Sequence, residues 1–322
     1  MTADANDISV IVCTRERPVD LARCLEALRR QVRAPLEVIV IDNAPMSDRT
    51  RSMAERYNVR YVVEPRAGLD RARNAGLRAA RGQILAFTDD DAIPADDWTT
   101  IIAESLGSGD VAAMTGAILP SELETSAQRL FERYLERMTR RRPRTERRVY
   151  EEPFSPAASG QVGAGANMAF RRDALERVGM FDEAFDGGTA TRSGGDTEMF
   201  GRLLAAGYRL TYEPSAVVRH RHRRSYRELR AQLFGYGVGV YAYWTHRIVH
   251  ARDADAMRFA GGTLWWHLAH RLPRALLGKD DELPAGLVLA EVAGSLYGPF
   301  AYMRARRAAG PPPSAPTRPS PA

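Results

Sequence analysis

Three consecutive carboxylates, Asp89-Asp90-Asp91, follow the apolar run Ile84-Leu85-Ala86-Phe87 with only Thr88 between them. A short apolar run of this kind reads as a buried strand, and unpaired charge cannot stay in a core. The acids must therefore sit where the strand leaves the core, in water or around a cation. Hard divalent ions take oxygen ligands from one or two carboxylates together with substrate phosphates. The triplet thus predicts a metal and phosphate site at the end of a strand.

The residues before it say what kind of sheet holds that strand. Ile8 to Val12 reads as a first strand. Val19 to Val32 follows with Leu21, Cys24, Leu25 and Leu28 at helical spacing. Leu36 to Ile41 is a second strand, Ser47 to Tyr57 a helix opened by a capping serine, and Arg60 to Val63 a third strand. Leu69 to Ala80 is a third helix closed by Gly82, and Gln83 to Thr88 the fourth strand. Strands alternating with helices predict right-handed βαβ units and a parallel sheet covered on both faces. Ligands of such sheets bind beyond the carboxyl ends of the strands. Thr14, Asp42 and Asp89 to Asp91 follow strands one, two and four, so they are expected on one rim.

Further along, Asp97 to Leu106 and Leu123 to Arg142 read as helices and Val111 to Ile118 as a strand. Gln161 to Phe170 is a glycine-rich strand or loop, and Arg172 to Val178 a short helix. Gly187 to Gly195 is a loop of small residues, and Asp196 to Ala206 a helix. Arg209 to Tyr212 and Ala216 to Val218 are short strands. From Ser225 the pattern is helical to about Arg307, and the proline-rich segment 310–322 is expected to be disordered. This gives a catalytic unit over 1–224, with halves at about 1–118 and 119–224, and a helical region over 225–309 packed against it. The glycines 235, 237 and 239 have no strand leading into them, so they are not a dinucleotide loop.

Composition narrows the classes. The 322 residues are 44% hydrophobic with a net charge of +6, which is globular and too weakly basic to indicate nucleic acid. Two cysteines allow no disulfide framework. With a short polar N-terminus, they point to a cytoplasmic protein. The most apolar stretch, Leu287 to Met303, contains Glu291 and is not expected to span a membrane. Trp265-Trp266 is expected to pack the C-terminal helices onto the rest, with peripheral contact at the inner face of a membrane as the alternative. The arginines from 140 to 148 read as a solvated loop, or as contact with an anionic acceptor or membrane surface.

Several blocks then occur together: Val10 to Arg15, Val38 to Asn43, Ala72-Arg73-Asn74-Ala75-Gly76, Phe87 to Asp91, Gly165 to Phe170, Gly194-Gly195-Asp196-Thr197-Glu198, and His220. In these blocks, across roughly residues 8 to 245, the chain resembles the family 2 glycosyltransferases, inverting enzymes of GT-A fold with a DXD motif. The resemblance implies a Rossmann-like, mostly parallel sheet flanked by helices, with a C-terminal helical extension. It implies a nucleoside diphosphate sugar donor, with a UDP-sugar favoured, an acceptor hydroxyl, and a divalent Mn2+ or Mg2+.

It also implies roles. Asp42 would accept a hydrogen bond from the nucleobase, with Thr14 beside it. Arg73 would contact the nucleotide or the acidic rim. Asp91 would ligate the metal, with Asp89 and Asp90 holding ribose and the metal's shell, and His220 would be a further ligand. His222, two residues on, faces the same side of an extended chain and could share that role. Asp196 would be the catalytic base, kept ionised by the helix N-terminus it occupies. Glu198 competes with it for a place in the site, because residues two apart do not share a helix face. The family often has Glu-Asp where this chain has Gly195-Asp196. The alternatives are a non-catalytic sugar-nucleotide or polysaccharide binder and a nucleotidyltransferase. The loop Thr14 to Pro18 lacks the glycine-rich phosphate cradle expected of the latter.

Overall fold

The computed structural model describes residues 7–107, 109–139, 144–279 and 283–313. The strands β1 (Ile8–Thr14), β2 (Glu37–Asn43), β3 (Arg60–Glu64) and β4 (Ile84–Asp89) alternate with helices α1 (Pro18–Arg29), α2 (Arg49–Arg56) and α3 (Leu69–Ala79). Next come β5 (Ala92–Pro94), α4 (Trp98–Gly107), β6 (Ala113–Pro120), α5 (Ser126–Thr139), β7 (Arg148–Tyr150), β8 (Asn167–Arg171), α6 (Arg172–Val178), α7 (Gly195–Ala205) and β9 (Leu210–His220). The chain ends in α8 (Tyr226–Ala251), α9 (Ala254–Trp266), α10 (Leu272–Leu276) and α11 (Ala285–Ala309).

The sheet has nine strands in the order β3-β2-β1-β4-β8-β6-β9-β5, with β7 beside β9. Strands β1, β2, β3, β4, β6 and β9 run one way, and β5, β7 and β8 the other. The chain builds outward from β1 to β3, then returns through α3 to place β4 on β1's other side. That reversal opens a crevice at the carboxyl ends of β1 and β4. One face of the sheet packs Ile11, Ile39, Ile41 and Phe87 under α3 and α7. The other packs Val10, Val12, Val40 and Ala86 against Leu21, Leu25 and Trp98 of α1 and α4.

Motif asparagines fasten this frame. Asn43 accepts from the Gly68 N–H and donates to Arg66 O. Asn74 bonds both the N–H and the carbonyl of Phe181. Asn167 ties β8 to Ala117 and Ala216 and accepts from the Trp98 indole. Each satisfies backbone groups that would otherwise be buried without partners.

The structure corrects several expectations. Ser47 does not cap α2; its N–H and hydroxyl bond Glu16 instead. Gly82 does not close α3, which ends at Ala80; it lets the chain pass close to Asp7 and Ser9. The two short strands after Gly207 are one strand, β9, with a register shift opposite Gly116/Ala117. The short strands β5 and β7 carry too few residues to show a pattern. Residues 140–143 of the arginine run and 314–322 of the proline-rich tail lie outside the described residues.

Among the described residues no helix is long and apolar enough to cross a membrane. Trp266 stacks with Arg137 and Arg271, but Trp265 is 63% exposed, so the pair does not pack as a unit onto the rest. The C-terminal helices do dock elsewhere. Tyr243 donates to Pro156 O, the Trp244 indole to Ala157 O, and Arg306 to Asp182.

Helices α8 and α11 lie against each other along a seam of small residues. A Cβ on Gly237 would lie 2.2 Å from Glu291 O, and one on Gly294 would lie 2.1 Å from Phe234 O. Glycine in a helix normally costs about 0.5–1 kcal/mol relative to alanine. Here Gly294→Ala should instead destabilise by about 1–3 kcal/mol, because the added methyl meets backbone. Urea unfolding checks this, and a stabilised variant would refute the close seam.

Candidate active site

The metal corner is made by strand register. After Asp89 the chain turns, and β5 runs beside the end of β9 with Ala92 opposite His220. This brings His220 Nε2 to 3.0 Å from Asp91 Oδ1 and 3.8 Å from Asp89 Oδ2. One ligand atom from each of Asp89, Asp91 and His220 lies within 4.8 Å of the others. Two carboxylate oxygens and an imidazole nitrogen suit an Mn2+-type ion. Asp90 is held otherwise: it accepts from the Thr14 hydroxyl at 2.6 Å and from Arg17 at 3.2 Å.

The environment splits these acids. Burial pushes Asp90 up to about 6, against the pull of Arg17. Burial also works to raise Asp91, but the hydrogen bond and charge of His220, with Arg17 and Arg223, overcome it and hold Asp91 down to about 2. Asp89 is raised by burial and by the neighbouring charge of Asp91. Burial disfavours a charged His220, yet Asp91 outweighs that and raises it. An ionised Asp91 and a crowded Asp89 are a pair that a cation relieves.

The second corner lies along β2 and β1. Thr14 is opposite Asp42 in the β1/β2 register. Asp42 Oδ2 accepts from the Tyr61 hydroxyl at 2.8 Å, while Oδ1 is buried. Burial raises its pKa. Hydrogen bonds from Tyr61 and Thr50 oppose that rise, and Asp42 is held as an acceptor at the strand's end.

The third corner holds Asp196. It lies in the first turn of α7, where Oδ2 accepts from the Gly165 N–H and Oδ1 from the Thr197 N–H, both at 2.7 Å. Gly165 precedes β8, whose Asn167 pairs with Thr88 of β4, so this corner shares the rim with the acid triplet. The Thr197 and Gly165 N–H groups favour its ionised form. Burial, and then the charge of Asp186, raise Asp196, while Arg73 lowers it. A base raised toward neutrality is better matched to proton abstraction.

Arg73 is buried and joins the corners. Its Nη1 meets Asp70 Oδ1 at 2.8 Å and Asp186 Oδ2 at 2.6 Å, and its charge also reaches Asp196 and Asp89. Its ion-pair partners are thus Asp70 and Asp186 rather than the acid triplet.

Two expected residues are turned elsewhere. Glu198 is buried and gives both oxygens to Arg202, at 3.0 and 2.7 Å, so it is closed to a substrate. The helical geometry that faces Asp196 outward turns Glu198 into the core. His222 meets Glu132 at 2.9 Å and packs edge-on to Phe131, away from the acid triplet. Arg17, Asp70 and Asp186 were not expected. Arg17 stands just after β1 on the predicted rim, which was a usable signal. Asp186 sits in a glycine-rich loop whose path the sequence does not show.

A Rossmann-like sheet with acids and one buried arginine along its carboxyl rim defines a glycosyltransferase of the GT-A class. Comparisons agree. The profile of glycosyl transferase family 2 matches residues 9–179, more than half of the chain, and the chain belongs to that family. It is 26% identical over 285 residues to the glycosyltransferase AglE of Haloferax volcanii, covering 85% of this chain and 84% of that one. It is 28% identical over 234 residues to the pre-mycofactocin glycosyltransferase of Mycobacterium tuberculosis, covering 72% of this chain but only 46% of that one. The mannosyltransferase PcManGT of Pyrobaculum calidifontis, solved with GDP-Man and Mn2+, shares the fold with a TM-score of 0.53 and 20% identity, over 96% of this chain and 78% of that one. The protein is a glycosyltransferase enzyme.

Glu198→Gln should leave Arg202 buried and underpaired, lowering stability by about 3–5 kcal/mol. Molecules that remain folded should keep their kcat. A loss of kcat at unchanged urea midpoint would put Glu198 back into the site.

Proposed function

We propose that the enzyme is an inverting, divalent-metal-dependent transferase that moves a sugar from a nucleoside diphosphate sugar to an acceptor hydroxyl. The supporting observation is the convergence on one rim of Asp89, Asp91 and His220, Asp42, and Asp196. Asp89, Asp91 and His220 would hold Mn2+ or Mg2+. Bound there, the ion neutralises charge on the departing diphosphate. Asp42 is assigned to accept from the nucleobase, with Thr14 opposite it. Uracil offers a matching N–H, which favours a UDP-sugar. Guanine offers one too, and the GDP-Man complex of PcManGT keeps GDP in the comparison.

Asp196 takes the proton of the acceptor hydroxyl. That oxygen bonds to the anomeric carbon as the carbon–oxygen bond to the diphosphate breaks, so one displacement inverts the centre. Residues 1–118 serve the donor and 119–224 the acceptor, with the C-terminal helices docked on the latter. The relatives include a succinoglycan biosynthesis protein, ExoM of Rhizobium meliloti, 29% identical over 222 residues and covering 66% of this chain and 65% of that one. Polysaccharide or glycoside synthesis is the matching role.

Thermal shifts with UDP, GDP, TDP and CDP sugars, with and without Mn2+, test this reading. One nucleotide should stabilise the protein in a metal-dependent way, and Asp91→Asn should abolish that effect. Asp196→Asn should keep it and cut transfer by on the order of 10²- to 10⁴-fold. Nucleotide binding indifferent to both Mn2+ and Asp91 would overturn the proposal. Activity of the unaltered enzyme should fall as pH drops through the raised pKa of Asp196, since the base works only when ionised.

We further propose peripheral contact with the anionic cytoplasmic leaflet of a membrane. Met257, Phe259, Trp265, Leu268, Leu276 and Leu277 are exposed on α9, α10 and the turns joining and following them. Residues 256–279 hold the exposed Arg258, Arg274 and Lys279 and no acid; Arg271 is buried against Glu291, and Asp280-Asp281-Glu282 follow. Exposed apolar rings beside exposed cations fit a headgroup boundary. The protein should float with vesicles containing phosphatidylglycerol but not with phosphatidylcholine alone, and Trp265→Ala/Leu276→Ser should reduce flotation. Equal flotation with both vesicles, or a dimer lost in the same variant, would assign the surface otherwise.

A further inference from the structure

We propose that Asp70 is the positioning residue for the base Asp196, occupying the space that a side chain on residue 195 would fill. The inference rests on the reading of Asp196 as base. It begins with an absence of side chain that backbone conformation does not require. Gly194 is the left-handed residue before α7, at φ 104, whereas Gly195 is already helical and not at positive φ. Any L-residue could take that backbone. What excludes one is contact: a Cβ on residue 195 would lie 2.0 Å from Asp70 Oδ2 and 2.6 Å from its carboxyl carbon.

Asp70 is fully buried in the first turn of α3. Its Oδ1 accepts from Arg73 Nη1, while Oδ2 rests against Gly195 with no hydrogen-bond partner. Leaving a buried carboxylate oxygen without a donor is costly, so the arrangement is not one that stability alone selects. It grips the base from both sides. On one side Asp70 abuts the backbone of Gly195, the residue before Asp196. On the other it fixes Arg73, whose Nη1 it shares with Asp186. Arg73 Nη2 would lie 2.4 Å from a Cβ on Gly165, the same residue whose N–H holds Asp196 Oδ2. Both routes end on atoms that set where Asp196 points. A carboxylate supplied by α3 thus does next to the base what a side chain at 195 has no room to do.

The test uses the full chain with donor, acceptor and Mn2+. Asp70→Asn keeps shape and removes charge; Asp70→Ala opens the space. Both should leave donor KM and the Mn2+-dependent nucleotide shift unchanged and lower kcat by on the order of 10- to 100-fold. Gly195→Glu alone should lose activity through the clash. Asp70→Ala/Gly195→Glu, which returns a carboxylate from the other helix, should regain kcat by about tenfold over Asp70→Ala. A wild-type kcat in Asp70→Asn, or a loss confined to donor KM, would overturn the inference. So would a double variant no better than Asp70→Ala. Should Asp70→Ala not fold, Asp70→Asn decides by its kcat. Asp196→Asn run in parallel separates the readings. If it transfers normally, the base assignment fails; if it is inactive while Asp70→Asn is not, only the positioning role falls.

Discussion

Arg73 lies between Asp70 and Asp186, with the charges of Asp196 and Asp89 also acting on it, and is almost wholly removed from water. Gathering carboxylates into a crevice is unfavourable unless cations meet them. The rim meets this with Arg17 after β1, Arg73 on α3, His220 at the end of β9 and Arg223 just beyond it. Arg17 and His220 face the acid triplet, and Arg73 faces the base. The rim stays acid-rich even so: burial first, and then the charges of Asp91 and Asp186, raise Asp89 and Asp196. A divalent ion at one corner and a hydroxyl proton at the other are what such a surplus would attract.

The topology separates those needs. Parallel strands β1, β2 and β4 deliver Asp42, Thr14 and the acid triplet to one edge by register alone. A parallel sheet by itself would then run on to another crossover. Instead β8 enters antiparallel to β4, so its start, not its end, lies at the rim. That reversal is what allows Gly165, just before β8, to hold Asp196. The later strand β9 runs parallel to β6, and its last residue, His220, meets Asp91 beside β5. The regular half of the sheet thus supplies Thr14, Asp42 and the acid triplet, and the irregular half positions Asp196 and His220.

This division explains what could be read from the sequence. Strands β1 to β4 alternate with helices of strong apolar period, so their ends, and hence Thr14, Asp42 and Asp89 to Asp91, were legible as one rim. Asp196 was legible from its block and its place at a helix start. Glu198 and His222 were not resolved by spacing, because what holds each depends on contacts distant in sequence. Arg202 lies on Glu198's own helix, but the pocket around it is closed by Val178 and Met180; Glu132 reaches His222 from α5. Asp70 was hidden for a related reason. Within α3 it looks like an ordinary first-turn acid, and only the meeting of α3 with α7 reveals that it sits on Gly195.

Helix α8 ties the far end of the molecule to this chemistry. Tyr236 accepts from Gln232 Nε2 while Gln232 Oε1 is buried without a partner. Burial raises the Tyr236 hydroxyl to about 12, and the charges of Asp196 and Asp89 act on it as well. Tyr236 thus lies within the field of both Asp196 and the acid triplet. The same helix carries Gly237 in the seam with α11 and Tyr243 in the contact with Pro156. A shift of α8 along that seam would therefore move Gln232 and Tyr236 relative to Asp196. The tight glycine packing opposes such a shift, since interlocked backbones leave no slack for sliding. The C-terminal helices thus bear on catalysis through the rigidity of α8, whatever surface their exposed faces meet.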